Sequence, residues 1–325
     1  MPEITIRDAI SQGLKEALDN DERVFIMGED VGYYGGAYAV TKGFVQEYGE
    51  RRIMDTPISE SVFVGAGVGA AMAGLRPVVE IMTINFSLLA MDQIVNHAAK
   101  IHYMSGGQLK APVIIRTVTG GGAGLAATHS QSLEGWYATV PGLKVITPAT
   151  PYDALGLLRT AFKDENPIIY AEHDLLYRTR GEVPEEYYEV PFGQARIARE
   201  GTDITIVANS GMVRVAEDAA KKLEARGVSA EVIDLRTLRP LDIDTIAKSV
   251  HKTNRCIVVE ETWRFGGFGS FIASEIQEIA FDDLDAPVAR VGCADVPAPY
   301  SKPLEDLQIP NGDTIIREIE RVIGL

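Results

Sequence analysis

Two α/β domains, each a largely parallel sheet flanked by helices, are the architecture expected of this 325-residue chain, on three observations. Short apolar strand-like runs alternate with helical ones from residue 24 to residue 171, and a second alternating block follows from residue 204, which is the pattern of parallel strands covered by helices. Between the blocks, residues 174–200 are charged, contain proline and lack periodicity, as a linker does. The length suits about two domains, and 46% apolar with 24% charged residues suits ordinary globular cores.

Each element has its own signal. Ile6, Ala9, Ile10, Leu14, Ala17 and Leu18 recur at helical spacing behind Thr5, predicting a capped helix over 5–19. Val24–Met27 reads as a buried strand, followed by a helix over 59–75, a strand over 77–82, a helix over 86–104 and a strand over 112–116. Strands at 143–146 and 168–171 enclose a helix over 151–163. The second block predicts strands at 204–208, 230–234, 256–260 and 288–292, alternating with helices at 212–225, 242–250, 269–280 and 313–323. Asp242 stands where a helix restarts after Pro240, as a cap.

Composition excludes several functions. A net charge of −15 makes the phosphate-backbone attraction of a nucleic-acid binder repulsive, so nucleic acid is not an expected partner. Arg76, Glu80 and Asp92 interrupt the most apolar windows before the roughly 20 residues that span a bilayer. No membrane association and no targeting peptide are expected. Cys256 and Cys293 sit in or beside apolar strands and read as core thiols, which fits a reducing, cytoplasmic setting.

The stretch Asp55-Thr-Pro-Ile-Ser-Glu60 leads into Val64-Gly-Ala-Gly-Val-Gly-Ala-Ala-Met-Ala-Gly74. Gly65, Gly69 and Ala73 fall on one line of a helix, and Ala66, Ala70 and Gly74 on the next. Glycine costs roughly 1 kcal/mol relative to alanine in a helix interior, so such a run predicts another backbone lying against it, at a subunit or domain seam. Gly65-x-Gly67-x-x-Ala70 formally satisfies a dinucleotide fingerprint, but the preceding segment holds Pro57 and polar residues where an apolar strand belongs.

Among groups able to do chemistry, Glu60 stands at the mouth of the small-residue helix, with Glu80, inside a strand, as its rival. Glu60 serves either as a helix cap with Ser59 or as a catalytic carboxylate, and the seam beside it favours the latter. His129 follows the loop Thr119-Gly-Gly-Gly-Ala-Gly124, read as flexible, and a histidine there suits acid–base work near neutral pH or simply faces solvent. Phe86 opens a helix at the carboxyl end of a strand, where parallel sheets bind ligands, and reads otherwise as a core aromatic. Gly266-Gly-Phe-Gly-Ser270 suits an anion cradle or a tight strand-to-helix turn, the turn being preferred. His97 and His102 point apart on a helix, and with no paired cysteines zinc is not expected. No Gly-x-Ser-x-Gly elbow or Walker loop occurs, so an enzyme here would rely on a cofactor.

Taken in order, Met27-Gly-Glu-Asp30, Arg52-Ile-Met-Asp-Thr-Pro-Ile-Ser-Glu60, Gly69-Ala-Ala-Met-Ala-Gly-Leu-Arg-Pro77, Phe86-Ser87, Tyr103-Met-Ser-Gly-Gly107, His129-Ser-Gln131, Asp234-Leu-Arg-Thr-Leu-Arg-Pro-Leu-Asp242 and Ala294-Asp-Val-Pro-Ala-Pro-Tyr300 carry a resemblance. The chain resembles, over nearly its whole length, the beta subunits of the decarboxylating dehydrogenase component of 2-oxo acid dehydrogenase complexes. The resemblance implies a transketolase-like pyrimidine-binding domain over 1–180, a linker over 181–200 and a transketolase-like C-terminal domain over 201–325. It implies a thiamine diphosphate enzyme of two alpha and two beta chains. The Gly-Asp-Gly start of the diphosphate site is absent here, so the alpha subunit is expected to hold the diphosphate and Mg²⁺. By the same resemblance Glu60 bonds the aminopyrimidine nitrogen, Phe86 lines the pyrimidine pocket, and His129 assists transfer of the acyl group to a lipoyl arm. A structural K⁺ is implied at Val113, Ala161, Phe162, Asp164 and Asn166, mainly through backbone oxygens. Asp285 matches a contact with the subunit-binding domain of the dihydrolipoyl acyltransferase core, although a solvated acidic run is the plainer reading.

Glu80-Ile-Met-Thr-Ile-Asn-Phe-Ser87 looks more like the pyruvate members of this family, so pyruvate is the expected substrate, with branched-chain 2-oxo acids and acetoin as alternatives. A non-catalytic docking subunit is the competing reading from a different class.

Overall fold

The computed structural model describes residues 1–324, which divide into two units: Met1–Thr119 with Trp136–Phe192, and Gly120–Gly135 with the described residues from Gly193 onward. The first unit begins with β1 (Glu3–Thr5) and α1 (Ile6–Asn20), then β2 (Val24–Gly28), α2 (Phe44–Tyr48), β3 (Ile53–Asp55), α3 (Glu60–Met72) and β4 (Arg76–Ile81). It continues through α4 (Ile101–Met104), β5 (Ile114–Thr119), α5 (Glu134–Ala138, which straddles the division), β6 (Lys144–Ile146), α6 (Pro151–Lys163), β7 (Ile168–His173) and β8 (Arg180–Glu182).

Its strands lie in the order β6-β7-β5-β4-β2-β3, every neighbouring pair parallel. β2, β5 and β7 are buried at every residue, as expected of parallel strands covered on both faces. Thr5 caps α1 by accepting from Asp8 N at 3.1 Å, and Thr150 caps α6 by accepting from Asp153 N at 3.1 Å, with Pro151 in the first turn. These two helices pack closely because Gly13 has no side chain: a Cβ there would stand 2.9 Å from Leu158 Cδ2. Against the sheet, α3 comes as close at Gly67, where a Cβ would stand 2.4 Å from Val79 Cγ2.

The single helix expected over 86–104 is broken into a 3₁₀ segment (Ile84–Ala90), a π-helical segment (Gln93–Ala98) and α4. Its first turns carry polar side chains that bond locally: Asn85 Nδ2 donates to Thr83 Oγ1 at 2.7 Å, and Ser87 Oγ donates to Ile84 O at 2.5 Å. Such bonds compete with the α-helical ladder. The stretch expected as linker is largely structured. β8 pairs antiparallel with β1, the Tyr188 ring stacks on Tyr152 with centroids 4.3 Å apart, and Val190 N donates to Gly156 O at 3.1 Å. It lacks periodicity because it is a strap laid over α6.

The second unit contains β9 (Arg196–Arg199), β10 (Ile204–Ala208), α7 (Gly211–Glu224), β11 (Ala230–Asp234), β12 (Thr237–Arg239), α8 (Ile243–Thr253), β13 (Cys256–Trp263), α9 (Phe268–Ile279), β14 (Ala289–Cys293), α10 (Lys302–Gln308) and α11 (Gly312–Ile323). The sheet order is β14-β13-β10-β11-β9, parallel except for β9 at the edge. Asp242 caps α8, accepting from Thr245 N at 3.1 Å. Cys256 and Cys293 are buried and unpaired, and burial pushes both thiols up. No helix among the described residues is long and apolar enough to cross a membrane.

Candidate active site

In the first unit, β4, β2 and β3 are consecutive strands, and the segment leaving the carboxyl end of each carries a candidate group. Glu29 follows β2, Glu60 follows β3 after the segment Thr56–Ser59, and Phe86 follows β4. Gly28 permits the close approach of β2 and β4 at this edge, since a Cβ there would lie 2.4 Å from Glu80 O. Asp55, at the end of β3, fixes the neighbouring loop by accepting from Gly32 N at 2.6 Å.

Glu60 is the first residue of α3 and only 4% exposed. Ser59 makes no side-chain cap bond, so the capping arrangement allowed by the sequence does not form. Glu29 was not singled out from the sequence, although it lies in the Met27–Asp30 segment. It is 9% exposed, and its Oε1 is buried without a hydrogen-bond partner among the described residues. Burial raises its pKa, and the charges of Glu60 and Asp30 raise it further.

Glu80, the rival carboxylate, is committed to structure. It pairs with Arg116 Nη1, while Arg116 Nε and Nη2 bind Glu172, the latter at 2.8 Å. Tyr177 OH donates to Glu172 Oε2 at 2.6 Å. Burial raises the pKa of Glu172, and Arg116 and Tyr177 oppose that rise. Removing the guanidinium would leave two buried carboxylates uncompensated, which typically costs about 3–5 kcal/mol.

Phe86 is half-buried in the 3₁₀ segment, with its N donating to Thr83 O at 2.9 Å. The next residue, Ser87, contacts Tyr137 OH at 2.5 Å and fixes the segment from below.

His129 belongs to the second unit, so the loop that leaves β5 changes unit before reaching it. Its side chain is exposed, with Nδ1 2.9 Å from Thr128 Oγ1. The glycine loop before it, read as flexible, is pinned: Gly121 N donates to Glu261 Oε1 at 2.6 Å, and Gly122 N and Gly124 N donate to Glu305 Oε1 at 3.0 and 3.1 Å. Its glycines serve a backbone with φ of +95° at Gly120, +98° at Gly122 and +71° at Gly124.

The candidate K⁺ ligands gather around the C-terminal end of α6, where helix carbonyls carry partial negative charge. Arg76 Nη1 already donates to Phe162 O at 2.8 Å and Asp164 O at 3.0 Å, while Val113 O accepts from Ile168 N and Ala161 O from Asp164 N. The Asp164 carboxylate is held by Lys144 and by Asn166 Nδ2. Asp285 is exposed and pairs with Arg255 at 3.0 Å. The Gly266–Ser270 stretch is a turn whose amide is taken internally, Gly269 N donating to Glu260 Oε2 at 2.9 Å.

Comparison with known proteins also divides the chain in two, with residues 120–135 counted in the first match. Residues 2–180 match the pyrimidine-binding domain of transketolase, and residues 193–315 match the transketolase C-terminal domain. The pyruvate dehydrogenase E1 component subunit beta of Rickettsia felis is 49% identical over 320 residues, covering 98% of both chains. The mitochondrial pyruvate dehydrogenase E1 component subunit beta of Homo sapiens is 48% identical over 328 residues, covering 99% of this chain and 91% of that one. A solved structure described as a split gene transketolase, inactive beta4 tetramer, shares the fold at a TM-score of 0.79 with 22% identity, covering 99% of each chain. The chain belongs to the family of pyruvate dehydrogenase E1 component beta subunits, with a transketolase pyrimidine-binding domain followed by a transketolase C-terminal domain.

Proposed function

We propose that this chain is the beta half of a thiamine diphosphate-dependent pyruvate dehydrogenase, acting with an alpha subunit in an α2β2 enzyme that passes the acyl group to the lipoyl arm of an acyltransferase core. The observation that carries the reading is the convergence of Glu29, Glu60 and Phe86 after three adjacent parallel strands. Two buried carboxyls and a half-buried aromatic at the carboxyl ends of neighbouring strands are a donor set suited to an aminopyrimidine: a carboxylate for a ring nitrogen and a ring face for stacking.

Thiamine diphosphate, when bound, supplies the electron sink that lets the bond between a 2-oxo acid's carbonyl carbon and its carboxylate break. This chain's residues hold and move protons around it. Glu60 would hold a proton at the pyrimidine ring nitrogen and so favour the pyrimidine's basic form. Phe86 would line the pyrimidine, and Glu29 keeps a second carboxyl near Glu60. His129 serves the lipoyl disulfide: as one sulfur takes the acyl group and the S–S bond breaks, it delivers a proton to the other sulfur, so the disulfide is the oxidant and leaves as thioester and thiol. The alpha subunit supplies the diphosphate and Mg²⁺ contacts. A monovalent cation such as K⁺ would take oxygens of Val113, Ala161, Phe162, Asp164 and Asn166, sharing those of Phe162 and Asp164 with Arg76 and bracing the end of α6. Asp285, with Arg255, forms part of the face offered to the acyltransferase's subunit-binding domain. The two unpaired buried thiols suit a cytoplasmic, reducing compartment.

The test is decarboxylation of pyruvate and of a branched-chain 2-oxo acid, with an artificial electron acceptor, by this chain assembled with its alpha chain. Thiamine-dependent turnover favouring pyruvate supports the reading. A preference for the branched acid moves the substrate alone, and absence of turnover by an assembled tetramer refutes it.

A further inference from the structure

We infer that Glu305 is a positioning residue for the acyl-transfer half of the reaction, holding the glycine loop in the one conformation that sets His129 for the lipoyl arm. The inference rests on the reading of His129 given above.

Glu305 lies on α10 and is fully buried, 0% exposed. A carboxylate is not buried this deeply without partners, and those of Oε1 are two backbone amides, Gly122 N at 3.0 Å and Gly124 N at 3.1 Å. The other oxygen, Oε2, is buried without a hydrogen bond among the described residues, and Lys302 Nζ stands 3.6 Å from it. One oxygen does the holding. Glu261 adds a third bond by accepting from Gly121 N.

This clamp continues to the histidine through contact. A Cβ at Gly121 would stand 3.1 Å from Ile309 Cδ1, at the end of α10, and 3.4 Å from Ser130, the residue after His129. His129 N in turn donates to Ala126 O at 3.1 Å, and Ala126 holds a φ of +67°. A loop with four left-handed positions between Gly120 and Ala126 has many alternative conformations when free, because glycine visits both signs of φ readily. Bonding three of its amides to two carboxylates selects one of them. All these residues lie in the second unit.

Two substitutions separate reach from charge. Glu305→Asp keeps the charge but withdraws the carboxylate by one methylene, whereas Glu305→Gln loses the charge but keeps an acceptor oxygen at full reach. Each is assembled with the alpha chain, alongside His129→Ala. Two rates are read: pyruvate decarboxylation with an artificial acceptor, and acylation of a free lipoyl domain. Hydrogen exchange of the peptide spanning residues 119–130 is read in parallel. Misplacement of a catalytic group by about 1 Å costs up to about 100-fold, so Glu305→Asp is expected to slow acylation by roughly tenfold or more, leave decarboxylation within about twofold and speed loop exchange. Glu305→Gln is expected to match the parent in all three. A purely structural role would lower both rates together or melt the tetramer, and either result overturns the inference. So does unchanged loop exchange in Glu305→Asp, or unchanged acylation in Glu305→Asp when His129→Ala loses it. Intact acylation in His129→Ala refutes instead the role of His129, and the inferred positioning of it falls as well, while the exchange arm still reports whether Glu305 holds the loop.

Discussion

The charge of Glu60 reaches Glu29: these two carboxyls follow adjacent parallel strands, and Glu60 is the largest charge acting to raise the pKa of Glu29 after burial itself. Glu60→Gln is therefore expected to lower the Glu29 titration without returning it to the ordinary glutamate range, because the burial remains. Carboxyl infrared spectra of the isolated chain over pH 3–8 follow this directly. An unmoved band in Glu60→Gln would mean that the two groups do not interact.

The small-residue helix has two faces with different neighbours. Gly67 packs on Val79 of its own sheet, whereas Ala66, Gly69 and Ala73 are exposed and a Cβ at Gly69 meets nothing within 4 Å. Gly69→Leu is expected to leave the lone chain folded, even gaining up to about 1 kcal/mol of helix propensity, while weakening assembly with the alpha chain. A rise of two decades or more in the dissociation constant, about 3 kcal/mol, is the expected result by native mass spectrometry or sedimentation. Unimpaired assembly would place the seam elsewhere.

The run Gly65–Gly74 announces close packing in the sequence, but neither line of small residues contains Gly67, the glycine that meets the chain's own sheet. The caps at Thr5 and Asp242 were legible because a short polar side chain before an amphipathic run has one job. The break within 84–104 was hidden, because apolar periodicity masks the local bonding of Asn85 and Ser87. Glu29 and Glu305 were missed for a different reason. Burial of a carboxylate after a strand depends on neighbouring strands, and the amide partner of Glu305 at Gly122 lies 183 residues away. Glu60 and Phe86 stood out only because motif and strand end coincide.

Glu260 supplies a pH test in the second unit. It is 6% exposed on β13, and burial pushes its pKa up to about 7, with Glu134 adding to the rise and the Gly269 amide and Arg290 opposing it. The folded state thus holds a proton that the unfolded chain, near the ordinary 4.5, has released. Its contribution to stability is full below about pH 4.5 and is lost as pH rises through about 7, an effect on the order of 3 kcal/mol by proton linkage. Melting of the parent is expected to fall between pH 6 and pH 8, and that of Glu260→Gln to change less. Parallel profiles would contradict the assignment.

The central claim is that Glu60 acts on the cofactor's pyrimidine, and its most direct test is single-turnover decarboxylation of pyruvate by the assembled enzyme carrying Glu60→Gln. Proton transfer by a positioned side chain contributes about 10²–10⁴-fold, so a loss of roughly two or more decades is predicted, with assembly and thiamine diphosphate binding retained. A Glu60→Gln enzyme that turns over at the parent rate would contradict the account and leave this chain as a scaffold for its partner.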